Sequence, residues 1–75
     1  MREQFANIII DISHESVDRL FQYRIPEGLR ESIQVGQQVY IPFGRGNSTR
    51  TGYVVELTDE AEYDEHKLKE IAGVV

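Results

Sequence analysis

The chain contains two runs of aromatic and β-branched residues, Phe21-Gln22-Tyr23-Arg24-Ile25-Pro26 and Val39-Tyr40-Ile41-Pro42-Phe43-Gly44. Residues of these types favour strands, and a proline lacks the N–H that a strand ladder requires. Each run therefore predicts a strand that ends at an edge or a bend of a sheet. Because the backbone leaves the ladder there, each end is a place where a ligand can be held.

Alternation of apolar and polar residues extends this pattern along the chain. It predicts a first strand from Phe5 to Ser13 and a return strand from Thr51 to Thr58, with a last strand from Leu68 to Val75. The inner faces are expected to carry Ala6, Ile8, Ile10 and Ile12 in the first strand, Phe21, Tyr23 and Ile25 in the second, and Val39, Ile41 and Phe43 in the third. In the return strand, Tyr53, Val55 and Leu57 share one face.

The connections are predicted to be short. Residues 26–31 resemble a helical turn, Gly36 allows a tight turn with positive φ, residues 44–50 form a hairpin loop, and Asp64 caps a single helical turn. About five strands with one or two short helical turns indicate a mainly β fold, a small curled β-barrel.

Composition narrows the function. The 75 residues include no cysteine and carry a formal net charge of −5, with seven of the 13 acidic residues between positions 56 and 70. Such a surface is unsuited to gripping duplex DNA by counterion release, so an anion site is expected near Arg45, Arg50 or a lysine. The longest apolar run, Ile8-Ile9-Ile10, is too short for a membrane helix, which favours a cytoplasmic protein without a membrane partner. The apolar last residues predict that the chain is part of a longer protein.

Catalytic motifs are missing. The two histidines, His14 and His66, are far apart in sequence and no cysteine is present, which disfavours a nucleophilic triad or a zinc site. The Gly44-Arg45-Gly46 stretch lacks the lysine of a phosphate-binding loop. A binding module is therefore favoured over an enzyme. Four aromatic residues are candidates either for stacking on nucleobases or for packing in the core, namely Tyr23, Tyr40, Phe43 and Tyr53.

Five segments, in order and with fitting gaps, resemble the amino-terminal 3′ DNA-binding domain of the replication-restart helicase family, also called primosomal protein N-prime or PriA. They are Asn7–Asp11, Asp18–Glu27, Val35–Gly44, Gly52–Val55 and Leu68–Ile71. The resemblance implies a rearranged, OB-like barrel over residues 1–75, at the amino terminus of a longer helicase. It implies binding of the 3′ end of the nascent leading strand at a stalled fork.

The same resemblance implies the residues of a pocket for the terminal nucleotide. Carried over by position, these are Phe21, Gln22, Tyr23, Gly44 and Lys69, with Arg45 and Arg50 as candidate phosphate contacts. Where the family usually has aspartate, Gln22 offers an amide without charge, and its place in the alternation predicts that it faces solvent or ligand.

The resemblance also sets expectations for cofactors and partners. ATP and zinc belong to the helicase portion outside this chain, so no cofactor and no catalytic residue is expected here. The expected partners are single-stranded or fork DNA with a free 3′ end, the helicase lobes, single-stranded-DNA-binding protein and other primosome proteins. The alternative is a barrel that docks neighbouring proteins without touching DNA.

Overall fold

The protein is described here from a computed structural model that covers residues 4–10, 20–62 and 64–75. The expectations for Ile12, Ser13 and His14 lie outside these residues. The strands are β1 (Phe5–Ile10), β2 (Leu20–Arg24), β3 (Gln38–Phe43), β4 (Ser48–Thr58) and β5 (Gly73–Val74). Two single-turn 3-10 helices, at Glu27–Leu29 and Glu65–Lys67, lie between them.

In the part of the chain described, the five strands form one sheet in the order β2-β1-β4-β3-β5, with antiparallel neighbours throughout. Residues 69–75 connect its two sides. On one side the Arg24 N–H donates to the Lys69 carbonyl (2.8 Å) and the Ile71 N–H to the Arg24 carbonyl (3.0 Å). On the other, the Ala72 N–H donates to the Tyr40 carbonyl (2.8 Å). Residues 69–75 thus link the end of β2 at Arg24 to β3, and the sheet curls into a small barrel.

The predicted fold class is confirmed: the protein is mainly β, with five strands and two short helical turns in an OB-like barrel. The inner faces of β1 and β3 are also as predicted. Their alternate side chains are fully buried and form the centre of the core, with Ala6, Ile8 and Ile10 from β1 and Val39 and Ile41 from β3. Tyr23 and Ile25 join this core, while Phe21 and Phe43 are half-buried at its margin.

The inner face of β4 differs from the simple alternation. Its buried residues are Gly52 and Val54, while Tyr53 and Val55 are exposed and Leu57 packs against the core. The cause is a β-bulge, because Ile8 pairs with Val54 whereas the preceding Asn7 pairs with Glu56. Val55 is the extra residue of the bulge and has no partner in β1. The alternation of side chains therefore shifts by one residue there, so Tyr53, Val55 and Leu57 do not share one face.

The turns at Gly36 and Asp64 are as predicted, but the hairpin loop is shorter than the predicted 44–50, because the turn covers residues 44–47 and β4 begins at Ser48 instead of Thr51. Gly36 has φ 90°, and the hairpin loop contains Gly44 at φ 76° and Asn47 at φ 51°. The Asp64 carboxylate accepts a hydrogen bond from the His66 N–H (3.0 Å), capping the second 3-10 helix.

The last strand is shorter than predicted. Only Gly73–Val74 is a strand, and Glu70 forms an isolated parallel bridge with Arg24. A continuous strand over 68–75 is excluded because the segment leaves β2 and joins β3 within a few residues. Among the described residues, no helix is long and apolar enough to span a membrane.

Candidate functional site

An open cleft of about 320 Å³ lies where the amino-terminal end of β2 meets the end of β3 and residues 67–69. The five residues predicted from the resemblance all line this cleft, although they come from three separate parts of the chain. The full lining is Leu20, Phe21, Gln22, Tyr23, Phe43, Gly44, Lys67, Leu68 and Lys69.

Aromatic side chains form the apolar wall of the cleft. The rings of Phe21 and Phe43 meet edge to face, with centroids 5.4 Å apart and an interplanar angle of 88°. This geometry is a favoured one for two aromatic rings, so each fixes the other's orientation. The cleft therefore has a preformed apolar surface on its barrel side.

Tyr23 holds β2 and β3 together behind this aromatic wall. Its side chain is buried, and its hydroxyl donates a 2.7 Å hydrogen bond to the Pro42 carbonyl. Burial raises the pKa of Tyr23 from 10.0 to about 12, because desolvation disfavours the phenolate. This neutral phenol joins β2 directly to the end of β3, although the two strands are not neighbours in the sheet.

Gly44 forms the open corner of the cleft. Its φ of 76° is one that L side chains rarely adopt, and a Cβ built there would meet no atom within 4 Å. The space beside the glycine is thus not filled by the protein. A ligand can approach this backbone closely.

Lys69 lies across the same corner. Its Nζ donates a 2.7 Å hydrogen bond to the Gly44 carbonyl, which places the ammonium at the mouth of the cleft. An ammonium has three N–H donors, so two remain for a ligand anion. Lys67, which the sequence analysis did not select, also lines the cleft.

Gln22 lines the cleft, but it does not face solvent as one of its two predicted environments required. Gln22 is only 6% exposed, and both ends of its amide are used. Its Nε2 donates to the Glu60 carbonyl (2.9 Å), and its Oε1 accepts from the Glu62 N–H (2.8 Å). The segment after β4 therefore covers this outward-pointing side chain, an effect that alternation within β2 could not reveal.

Three lining residues were missed by the sequence analysis, namely Leu20, Lys67 and Leu68, while Phe43 was a candidate for base stacking but was not assigned to the pocket. A usable signal existed for one of them, because Lys67 and Lys69 are the only lysines in the chain. Arg45 and Arg50 do not line the cleft and are exposed on the β3–β4 hairpin. No group of three His, Cys, Asp or Glu residues within the described ranges could hold a metal ion.

An OB-like barrel with an open, lysine-bearing cleft is typical of small binding modules. Residues 7–75 match the model of the family described as the 3′ DNA-binding domain (3′BD) of PriA, and the chain belongs to that family.

A curated relative agrees with this assignment. The chain is 33% identical over 71 residues to the replication restart protein PriA of Bacillus subtilis (strain 168). The match covers 95% of the chain but only 9% of the relative, so the chain spans about a tenth of that protein's length.

Proposed function

We propose that this chain binds the 3′ end of a DNA strand, and that within a longer ATP-dependent helicase it recognises the nascent leading strand at a stalled replication fork. The observation that carries the proposal is the corner at Gly44, open to a ligand and crossed by the Lys69 ammonium. The family to which the chain belongs supports the same function.

The cleft suits a terminal nucleotide in each of its parts. The apolar wall of Phe21 and Phe43 offers a surface for the base, which it would hold without reading its identity. The bare backbone at Gly44 allows the sugar and its 3′-hydroxyl to come close. Lys69, with Lys67 nearby, supplies positive charge for the last phosphodiester.

Selection of an end follows from shape. If the 3′-hydroxyl lies against the Gly44 backbone, a strand that continued past it would have to place another phosphate where the Lys69 ammonium meets the Gly44 carbonyl. A terminal nucleotide requires no such space. The charge of −5 is compatible with this mode, because only one or two phosphates need be neutralised.

A titration of short oligonucleotides tests the proposal. Thymidine dinucleotides with a free 3′-hydroxyl should bind the 75-residue chain more tightly than the same dinucleotides carrying a 3′-phosphate, as measured by fluorescence anisotropy. Circular single strands should compete poorly with linear ones of equal length. Equal binding of free and blocked ends would overturn end recognition and favour the alternative, a barrel that docks proteins.

Paired charge variants locate the site. Lys69→Gln should weaken dinucleotide binding several-fold, because it removes the ammonium at the cleft mouth. Arg50→Gln removes an exposed cation outside the cleft and serves as the matched control. Equal losses in the two variants would indicate general electrostatic attraction and would contradict a specific role for Lys69, whereas a loss in Arg50→Gln alone would place the site on the β3–β4 hairpin.

The partners of the longer protein are part of the same proposal. In the longer protein, the helicase lobes would hold ATP and zinc, and the partners of the module would include these lobes, single-stranded-DNA-binding protein and other primosome proteins. In this scheme the module contributes the choice of strand end, and the lobes contribute hydrolysis and unwinding.

A further inference from the structure

An exposed apolar row crosses the outer face of the barrel. Leu20, Ile9 and Tyr53 lie directly opposite one another on β2, β1 and β4, which are neighbours in the sheet. Their side chains are 47%, 37% and 44% exposed, respectively. Apolar residues on an outer face are usually scattered, so three in register across adjacent strands form a continuous surface.

The row begins at the cleft. Leu20 is its first member and also lines the rim of the pocket beside Phe21. Neighbouring strands are about 4.8 Å apart, so Tyr53, two strands away from Leu20, lies about 10 Å from the cleft rim along the outer face. A strand whose last nucleotide occupied the cleft could reach Tyr53 with the nucleotides just before it.

We propose that this row is a path for the nucleotides immediately 5′ of the terminal one, with apolar contacts at Leu20 and Ile9 and base stacking on Tyr53. The inference rests on the proposed function and extends it from a single nucleotide to a short single strand. The geometry that carries it is the continuity between the cleft rim and an exposed ring on β4.

The chemistry of the surrounding face suits single-stranded nucleic acid. Tyr40, 40% exposed, pairs with Thr51 while Tyr53 pairs with Gln38, so the two tyrosines are diagonal neighbours on the same face. Aromatic rings stack on any base. The Gln38 amide and the Thr51 hydroxyl, opposite the two tyrosines, offer uncharged hydrogen-bonding groups. The row adds affinity without demanding a sequence.

Oligonucleotide length separates this path from the cleft. Tyr53→Ala should leave binding of a thymidine dinucleotide unchanged and weaken binding of a thymidine hexanucleotide, both with free 3′-hydroxyls, by about fivefold or more. Tyr53→Phe keeps the ring and should bind the hexanucleotide as the wild type does. Val35→Ala alters a 61% exposed side chain outside the row and should change neither affinity.

Cross-linking gives a second readout that does not depend on affinity. With 5-iodouracil as the third base from the 3′ end, irradiation should attach the hexanucleotide to Tyr53 or Tyr40. A hexanucleotide affinity unaffected by Tyr53→Ala, or a cross-link only to cleft residues, would overturn the path. If blocked and free dinucleotides bound equally, end recognition would fall, while the dependence of hexanucleotide binding on Tyr53 could still be measured.

Discussion

Gly44 adopts a backbone conformation that a side chain would strain, and it borders the proposed ligand. Gly36 has a similar positive φ, 90° against 76°, and a Cβ at Gly36 would likewise meet no atom within 4 Å. Alanine at either position should lower the free energy of unfolding by about 1 kcal/mol. Only Gly44→Ala should also weaken binding of a free 3′ end, because its methyl group would enter the cleft.

Thermal unfolding and anisotropy titration of both variants check this prediction. Gly36→Ala controls for backbone strain, since Gly36 does not line the cleft. Similar losses of affinity in the two variants would mean that strain, and not occupation of the corner, explains the effect.

Tyr23 makes the stability of the protein sensitive to alkaline pH. Because the pKa is raised from 10.0 to about 12 on folding, the neutral phenol stabilises the fold fully below pH 10. That contribution disappears as the pH rises towards 12. Tyr23→Phe lacks the titrating group and leaves the Pro42 carbonyl without its donor, so it should be about 1 kcal/mol less stable at neutral pH.

Denaturant unfolding of wild type and Tyr23→Phe between about pH 7 and 11 tests this. The advantage of the wild type should shrink above pH 10, and groups common to both proteins cancel in the difference. A constant difference across that range would contradict a buried, neutral Tyr23.

For single residues, the sequence identified several residues that line the cleft but not the hydrogen bonds that they make. Resemblance placed Phe21, Gly44 and Lys69 together, and the structure brings them to one cleft. It could not foresee that Gln22 would be covered, because its two hydrogen bonds go to residues about 40 positions away. Such long-range partners leave no trace in local alternation.

At the scale of elements, β4 leaves no room for a side chain against β1 at Gly52. A Cβ there would lie 2.6 Å from Ile8 Cγ2 and 2.8 Å from the Ile9 carbonyl oxygen. Gly52→Ala should therefore destabilise the protein by about 1–3 kcal/mol. Gly28→Ala, where nothing lies within 4 Å, is the control and should have little effect.

Urea unfolding of the two variants measures the difference. An equal, small effect for both would show that β1 and β4 can separate without cost at this point. The β-bulge in β4 would then be the candidate for the part of the strand that shifts to make room for the methyl group.

The buried faces of the strands could be predicted where a strand is regular, and less well where a bulge or a change of partner strand interrupts it. The alternation of β3 predicts its inner face because that strand is regular. In β4 the bulge shifts the pattern, and in residues 69–75 the change of partner from β2 to β3 interrupts the strand. Both features depend on neighbours that the local sequence does not identify.

For the whole molecule, charge sets the expected response to salt. Lys67 and Lys69 are the lysines of the cleft, and the chain as a whole is acidic. If they neutralise one or two phosphates, the logarithm of the binding constant should fall with the logarithm of salt concentration with a slope of about −0.7 to −1.4. Titration of a linear oligonucleotide at several salt concentrations measures it, and a slope steeper than about −4 would contradict the cleft as the binding site.

The barrel as a whole was predictable in class because strand number and turn chemistry are local properties. Its closure was not, since it depends on the terminal segment bonding to both Arg24 and Tyr40. The cleft lies beside residues 69–71, where the terminal segment bonds to Arg24. Closure of the sheet therefore also brings Lys69 to Gly44.

The bond between the Lys69 ammonium and the Gly44 carbonyl has a consequence for the thermodynamics of recognition. A long, flexible side chain normally loses its rotamer freedom when it meets an anion. In this protein the Lys69 side chain loses that rotamer freedom on folding, because its ammonium is already bonded to Gly44. The entropic cost of ordering the side chain is therefore not charged to the binding step.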